Sequence, residues 1–106
     1  MMSGRPLRLT ILGHPFTVEW KKLDEADAGC CYVAKQTMEI DTTLGPDQEK
    51  DTVMHEMIHA ALHITGHDEG TTLTHRQEEA IVRAMGYAMV TIIKDNPHLV
   101  AWLAAE

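Results

Sequence analysis

The chain has 106 residues and fits one domain. Nine Lys and Arg against sixteen Asp and Glu give a formal charge of −7, which argues against binding a phosphate backbone, since that role needs a basic face. No run of about 20 apolar residues is present, so a membrane span is excluded, and the opening Met1-Met2-Ser3-Gly4-Arg5-Pro6 lacks the apolar stretch of a signal peptide.

Short strands are expected in the first half. Arg5 to Leu12 alternates in hydropathy, Gly13-His14-Pro15 is turn chemistry, and Phe16 to Trp20 alternates again, which predicts a hairpin. Lys21 to Asp27 reads as a polar loop. Gly29 to Ala34 and Met38 to Asp41 then form a second strand pair around Lys35-Gln36-Thr37. Cys30 and Cys31 are neighbours with Cα atoms about 3.8 Å apart, too close for the usual disulfide, and a strand points them to opposite faces. Two small half-buried thiols fit a reducing, cytoplasmic setting.

Helices are expected in the second half. Pro46 after Gly45 suits a first helical position, and Asp47 and Glu49 suit the positive end of a helix dipole. This helix should run to about Thr65 and stop at Gly66. Thr74-His75-Arg76-Gln77 fits a capping box that opens a helix from His75 to about Lys94. Asn96-Pro97 breaks it and starts a short third helix through Ala104. The expected fold is one α+β domain over residues 1–106: a mainly antiparallel sheet of three to four strands packed on two helices, with a short C-terminal helix. Trp20 and Trp102 read as core or edge packing, and His14 as part of a turn.

Five of the seven histidines lie between His55 and His75. His55-Glu56-Met57-Ile58-His59 is an HExxH motif, which a shuffled chain of this composition yields only about 0.04 times. Residues four apart on a helix sit one turn above each other, so both imidazoles can reach one ion. Glu56 lies on the flank of that pair, where it can take a proton from metal-bound water. On a helical projection Met54, Met57, Ile58, Ala61, Ile64 and Thr65 share one side, and His55, His59 and His63 lie opposite.

A third ligand is needed. Metzincins place Gly three and His six residues after the second His, where this chain has Leu62 and Thr65, so that class is excluded. Glu78, Glu79, His67 and His75 remain. Projected down the axis of the second helix, Val82, Met85, Met89 and Ile92 fall to either side of the direction of Glu78, with Ile81 and Ile93 completing the apolar face. Glu78 thus centres the apolar arc, where its charge needs a compensating cation. Glu79, one residue further round the helix, borders solvent. Glu78 is therefore expected to be the ligand and Glu79 to support the site. Tyr32, Tyr87, His67 and His75 are candidates to polarise a carbonyl, and Asp68 to orient a ligand imidazole.

The order of strand pairs, His55-Glu56-Met57-Ile58-His59-Ala60 and then Glu78-Glu79-Ala80-Ile81-Val82-Arg83-Ala84-Met85-Gly86 resembles the small zincin-like metallopeptidases of phages and prophages. These are related to minimal gluzincins of the ImmA/IrrE type. The likeness extends over roughly Leu7 to Leu103, including the tail Asp95 to Leu103. It implies one catalytic Zn²⁺, Glu56 as general base, hydrolysis of a protein or peptide substrate, and no specified partner. The HEMIHA segment is also similar to SprT-type DNA-linked proteases, in which His75 would stand as third ligand. Against that reading are the acidic charge and the absence of a cysteine zinc ribbon. His59 to Glu69 resembles the metal site of rRNA-maturation endoribonucleases but departs at Ala60, His67 and Glu69. A zinc-stabilised regulatory or binding module without turnover is the alternative from another class. It has no need of a base at Glu56.

Overall fold

Two strand pairs and then three helices follow one another in the computed structural model, which describes residues 4–24 and 26–106. Met1 to Ser3, on which the reading of the N-terminus partly rests, and Glu25 in the polar loop lie outside the described residues.

Strand β1 (Arg8–Ile11) pairs antiparallel with β2 (His14–Lys21). Leu12 and Gly13 join them with φ of 49° and 83°, the pair of positive angles that matches the twist of a two-residue hairpin. The turn therefore sits one residue earlier than expected, and His14 and Pro15 belong to β2. Pro15 is tolerated there because β2 meets its other neighbour only from Thr17 onward.

Strand β3 (Gly29–Tyr32) pairs antiparallel with β4 (Thr37–Asp41), but β4 runs parallel to β2, giving the order β1-β2-β4-β3. The sheet is thus mixed, which corrects the expectation of a mainly antiparallel one. Burial explains the order. Met38 and Ile40 are fully buried, so β4 takes a central position, whereas β3, with its glycine and two small thiols, takes the edge. Cys30 and Cys31 are both half-buried free thiols. Ile11, Phe16, Val18, Met38, Ile40 and Ala60 form the core.

Helix α1 (Pro46–Ile64) lies on the sheet, touching β1, β3 and β4, and α2 (His75–Asp95) packs on α1. Three layers result, with α1 in the middle. Pro46 occupies the first turn of α1, and Gly66, at φ 78°, follows its end. The capping box of α2 is complete: Gln77 N–H donates to Thr74 Oγ1, and Thr74 N–H donates to Gln77 Oε1. Val82 and Gly86 of α2 are buried, and a Cβ at Gly86 would stand 3.5 Å from both Cα and N of His55. The glycine lets the two backbones approach closely. At the other face of α1, a Cβ at Gly29 would lie 2.8 Å from Thr52 Cγ2, so β3 also runs tight against this helix.

Trp20 is half-buried and donates its indole N–H to Pro6 O at 2.8 Å. Trp102 does not pack as expected: it lies on α3 (Pro97–Ala104) and is 72% exposed. Among the described residues no helix is long and apolar enough to cross a membrane.

Candidate metal centre

The two histidines of the motif lie one turn apart on the face of α1 that meets α2. Their Nε2 atoms are 3.2 Å apart, with the rings edge to face. Glu79 closes the group from α2: its Oε1 lies 3.0 Å from His59 Nε2, and its Oε2 lies 3.7 Å from His55 Nε2. Among the described residues, His55, His59 and Glu79 are the set whose donor atoms converge as a cation would require.

The donor set and spacing fit zinc. Ligand atoms of a tetrahedral zinc bonded at about 2.0–2.1 Å are about 3.3–3.4 Å apart; the two Nε2 atoms, at 3.2 Å, and the contact of His59 Nε2 with Glu79 Oε1, at 3.0 Å, lie close to that value. Two imidazoles and a carboxylate are also a common three-ligand set of zinc sites that keep a fourth position for water or substrate.

Glu78 stands on the other side of the same imidazole. Its Oε2 lies 2.5 Å from His59 Nδ1, and its Oε1 accepts the backbone N–H of Glu69. The structure therefore brings Glu79, and not Glu78, to the cluster, reversing the expectation for the two carboxylates. Glu78 is buried as anticipated. Its charge is met by an imidazole N–H and a backbone N–H instead of by an ion, which satisfies the same physical demand. The hydrogen bond also fixes which nitrogen of His59 is free, leaving Nε2 to face His55 and Glu79.

Glu56 lies on the flank of α1 nearer β3, close enough to Cys31 to act on its thiol. It is 9% exposed, and no hydrogen bond to its carboxylate is formed among the described residues. Burial pushes its carboxyl up to about 7, with Glu79 pushing in the same direction against the opposing pull of His59. Burial also holds His55 below the ordinary imidazole value, assisted by His59 and Arg83. A neutral imidazole is the form that ligates. Burial raises the thiol of Cys31 to about 11, and Glu56 contributes, so this cysteine is a protonated packing residue and not a nucleophile.

Two open clefts meet at the cluster. One, of about 830 Å³, is lined by β3 and by His63, Asp68, Glu69 and His75. The other, of about 680 Å³, runs past Asp27, Asp51, Arg83 and Tyr87. Gly29, His55, Glu56 and Glu79 border both. Of the carbonyl-polarising candidates, His75 and Tyr87 line these clefts, whereas Tyr32 and His67 line neither. His75 Nδ1 pairs with Glu69 Oε2 at 3.0 Å, which raises its pKa. Asp68 holds the Nδ1 of His63 at 2.7 Å, so it orients a histidine outside the cluster.

No family model, no curated protein and no solved structure matches this chain.

Proposed function

We propose that the protein is a zinc-dependent metallopeptidase that cleaves protein or peptide substrates. The reading is carried by one arrangement: Nε2 of His55, Nε2 of His59 and a Glu79 carboxylate converge at ligand spacing, and the buried carboxylate of Glu56 opens onto the same cleft. The resemblance of the HEMIHA segment to zincin-like metallopeptidases of phages supports it.

Zinc held there would supply a Lewis acid that polarises a carbonyl and brings the pKa of a bound water to about 7. The chain's own residues supply the rest. Glu56 takes the proton of the attacking water and returns it to the amine that departs, the general acid–base work of a carboxyl tuned toward neutrality. Glu78 keeps His59 in the tautomer and orientation that leave Nε2 for the metal. Among the described residues strand β3 pairs only with β4, and its other edge borders the site, where an extended peptide could add as a further strand with its carbonyls passing the cluster. A buried base serves no purpose in a purely structural site, which favours turnover over a zinc-stabilised binding module.

The test is zinc-loaded protein incubated with a diverse set of quenched fluorescent peptides and an unfolded protein. Cleavage that vanishes in Glu56→Gln with zinc content unchanged is expected. A zinc-loaded protein that cleaves nothing, with a Glu56→Gln variant equal to it in every binding assay, would favour the module.

A further inference from the structure

The end of the molecule away from the site carries a mismatch between two apolar surfaces. Helix α3 contributes Leu99, Trp102 and Leu103, which are 40%, 72% and 66% exposed, and it buries no residue at all. Among the described residues it touches only α2. A single residue, Asn96, separates it from α2, and Pro97 fills its first turn. So short and stiff a joint holds α3 away from the rest of its own chain.

The second surface is a groove of about 390 Å³ on a flank of α1 that shares no residue with the two clefts of the metal centre. Pro6, Trp20, Val53, Met54, Val90 and Ile93 make its walls. Its rim carries Arg5, Lys50 and Lys94; Arg5 pairs with Glu49 and Lys94 with Asp47, and Lys50 forms no ion pair among the described residues. The groove is thus apolar inside and net positive at the edge, in a chain whose overall charge is −7.

We infer that α3 of one chain docks in this groove on a second copy, each chain giving its helix to the other, so that the protein forms a symmetric dimer. Three observations support this occupant. The helix is apolar along most of its length and ends two residues before Glu106, the one acidic side chain of residues 97–106, which hold no Lys or Arg. That carboxylate complements Lys50 on the rim. The area is adequate: two helices of about 12 Å, each seated in a groove, bury on the order of 1,000 Å² in total, the lower edge of a specific interface. Finally, the one-residue joint denies α3 its own groove, whereas the same patch met reciprocally on a second copy closes a two-fold dimer.

Sedimentation velocity over a wide concentration range, on the full chain, is the test. Wild type should double in mass as concentration rises, with the weak affinity of a small interface. Trp102→Asp damages the helix and Ile93→Asp damages the groove. Both positions are exposed, so both variants should keep the wild-type circular dichroism and zinc content while staying monomeric. Mixing the two should give at most a heterodimer weaker than the wild-type dimer, because only one of the two helix-in-groove contacts is then intact. Lys50→Glu should weaken dimerisation several-fold without abolishing it. A wild type that remains monomeric throughout, or a Trp102→Asp or Ile93→Asp variant that dimerises as wild type does, would each overturn the docking.

Discussion

Glu78 Oε2 and His59 Nδ1 stand 2.5 Å apart, on the side of the ring away from the nitrogen that faces His55 and Glu79. Two neighbouring carboxylates on α2 thus grip the same imidazole from opposite sides, one at Nδ1 and one at Nε2. The division of labour follows from the helix: residues one apart differ by about 100°, and the direction toward α1 passes between them.

This pairing predicts that the two carboxylates fail differently. Glu79→Ala should cost zinc affinity by orders of magnitude, because it removes a donor. Glu78→Ala should cost about 10–100-fold, the usual effect of losing the partner that orients a ligand imidazole. Competition against a chromogenic chelator measures both. A larger loss for Glu78→Ala than for Glu79→Ala would reverse the assignment.

Glu56→Gln should retain full zinc and abolish peptide hydrolysis, since an amide cannot take the proton of the attacking water. Zinc analysis alongside turnover on one cleaved peptide separates this from ligand loss. Activity within a few-fold of wild type would remove Glu56 from the chemistry.

The site joins α1 to α2, so metal binding should stabilise the fold. Zinc at 100 times its Kd adds about 2.7 kcal/mol, which for a domain of this size raises Tm by roughly 10–20 °C. Calorimetry with zinc and with a chelator gives the shift. An unchanged Tm would mean that the ion is not bound across the two helices.

Two glycines hold the layers around α1 together. Gly86→Ala should be neutral or slightly stabilising, because the added Cβ only reaches van der Waals contact with His55 and alanine favours a helix. Gly86→Leu should part α1 from α2 and lower zinc affinity at least about tenfold. Gly29→Ala should destabilise by about 1–3 kcal/mol, because its Cβ would lie only 2.8 Å from Thr52. Chemical denaturation and zinc titration of the three variants check this.

Acid should loosen the end of β4. Asp41 accepts from the Thr43 hydroxyl and from the Leu23 and Thr43 backbone N–H groups, with the Thr43 hydroxyl contributing most to a lowered pKa. A carboxylate depressed in the folded state contributes stability that is present above its unfolded pKa of about 3.9. That contribution is lost as pH falls through the folded value. Asp41→Asn should therefore be less stable than wild type at neutral pH, with the gap narrowing below about pH 4. A gap independent of pH would contradict the account.

The helices are legible in the sequence because their end signals are local: Pro46, the Thr74 box, Asn96-Pro97. The motif is legible because its geometry is a single helical turn. The sheet order is not, since alternation says which face of a strand is buried but not which strand is its neighbour; only the complete burial of Met38 and Ile40 shows that β4 belongs in the middle. The place of Glu79 beside the imidazoles escapes for a related reason. The apolar arc of α2 includes Ile81, Met85, Met89 and Ile92, all of which face solvent, so its centre is not the direction of α1. Gly86 stands two helical turns after Glu79 and therefore points nearly the same way. As the position of closest approach to α1, that glycine marks the true contact line and places Glu79 beside the imidazoles.

The central claim is a zinc ion held by His55, His59 and Glu79 with a position left open beside Glu56. A crystal of the zinc-loaded protein, with anomalous data collected on both sides of the zinc edge, tests it most directly. The account predicts one strong anomalous peak at about 2.0–2.1 Å from both Nε2 atoms and from a Glu79 oxygen, with a non-protein fourth ligand. The absence of a peak there, or a peak ligated by Glu78 with Glu79 turned away, would contradict it.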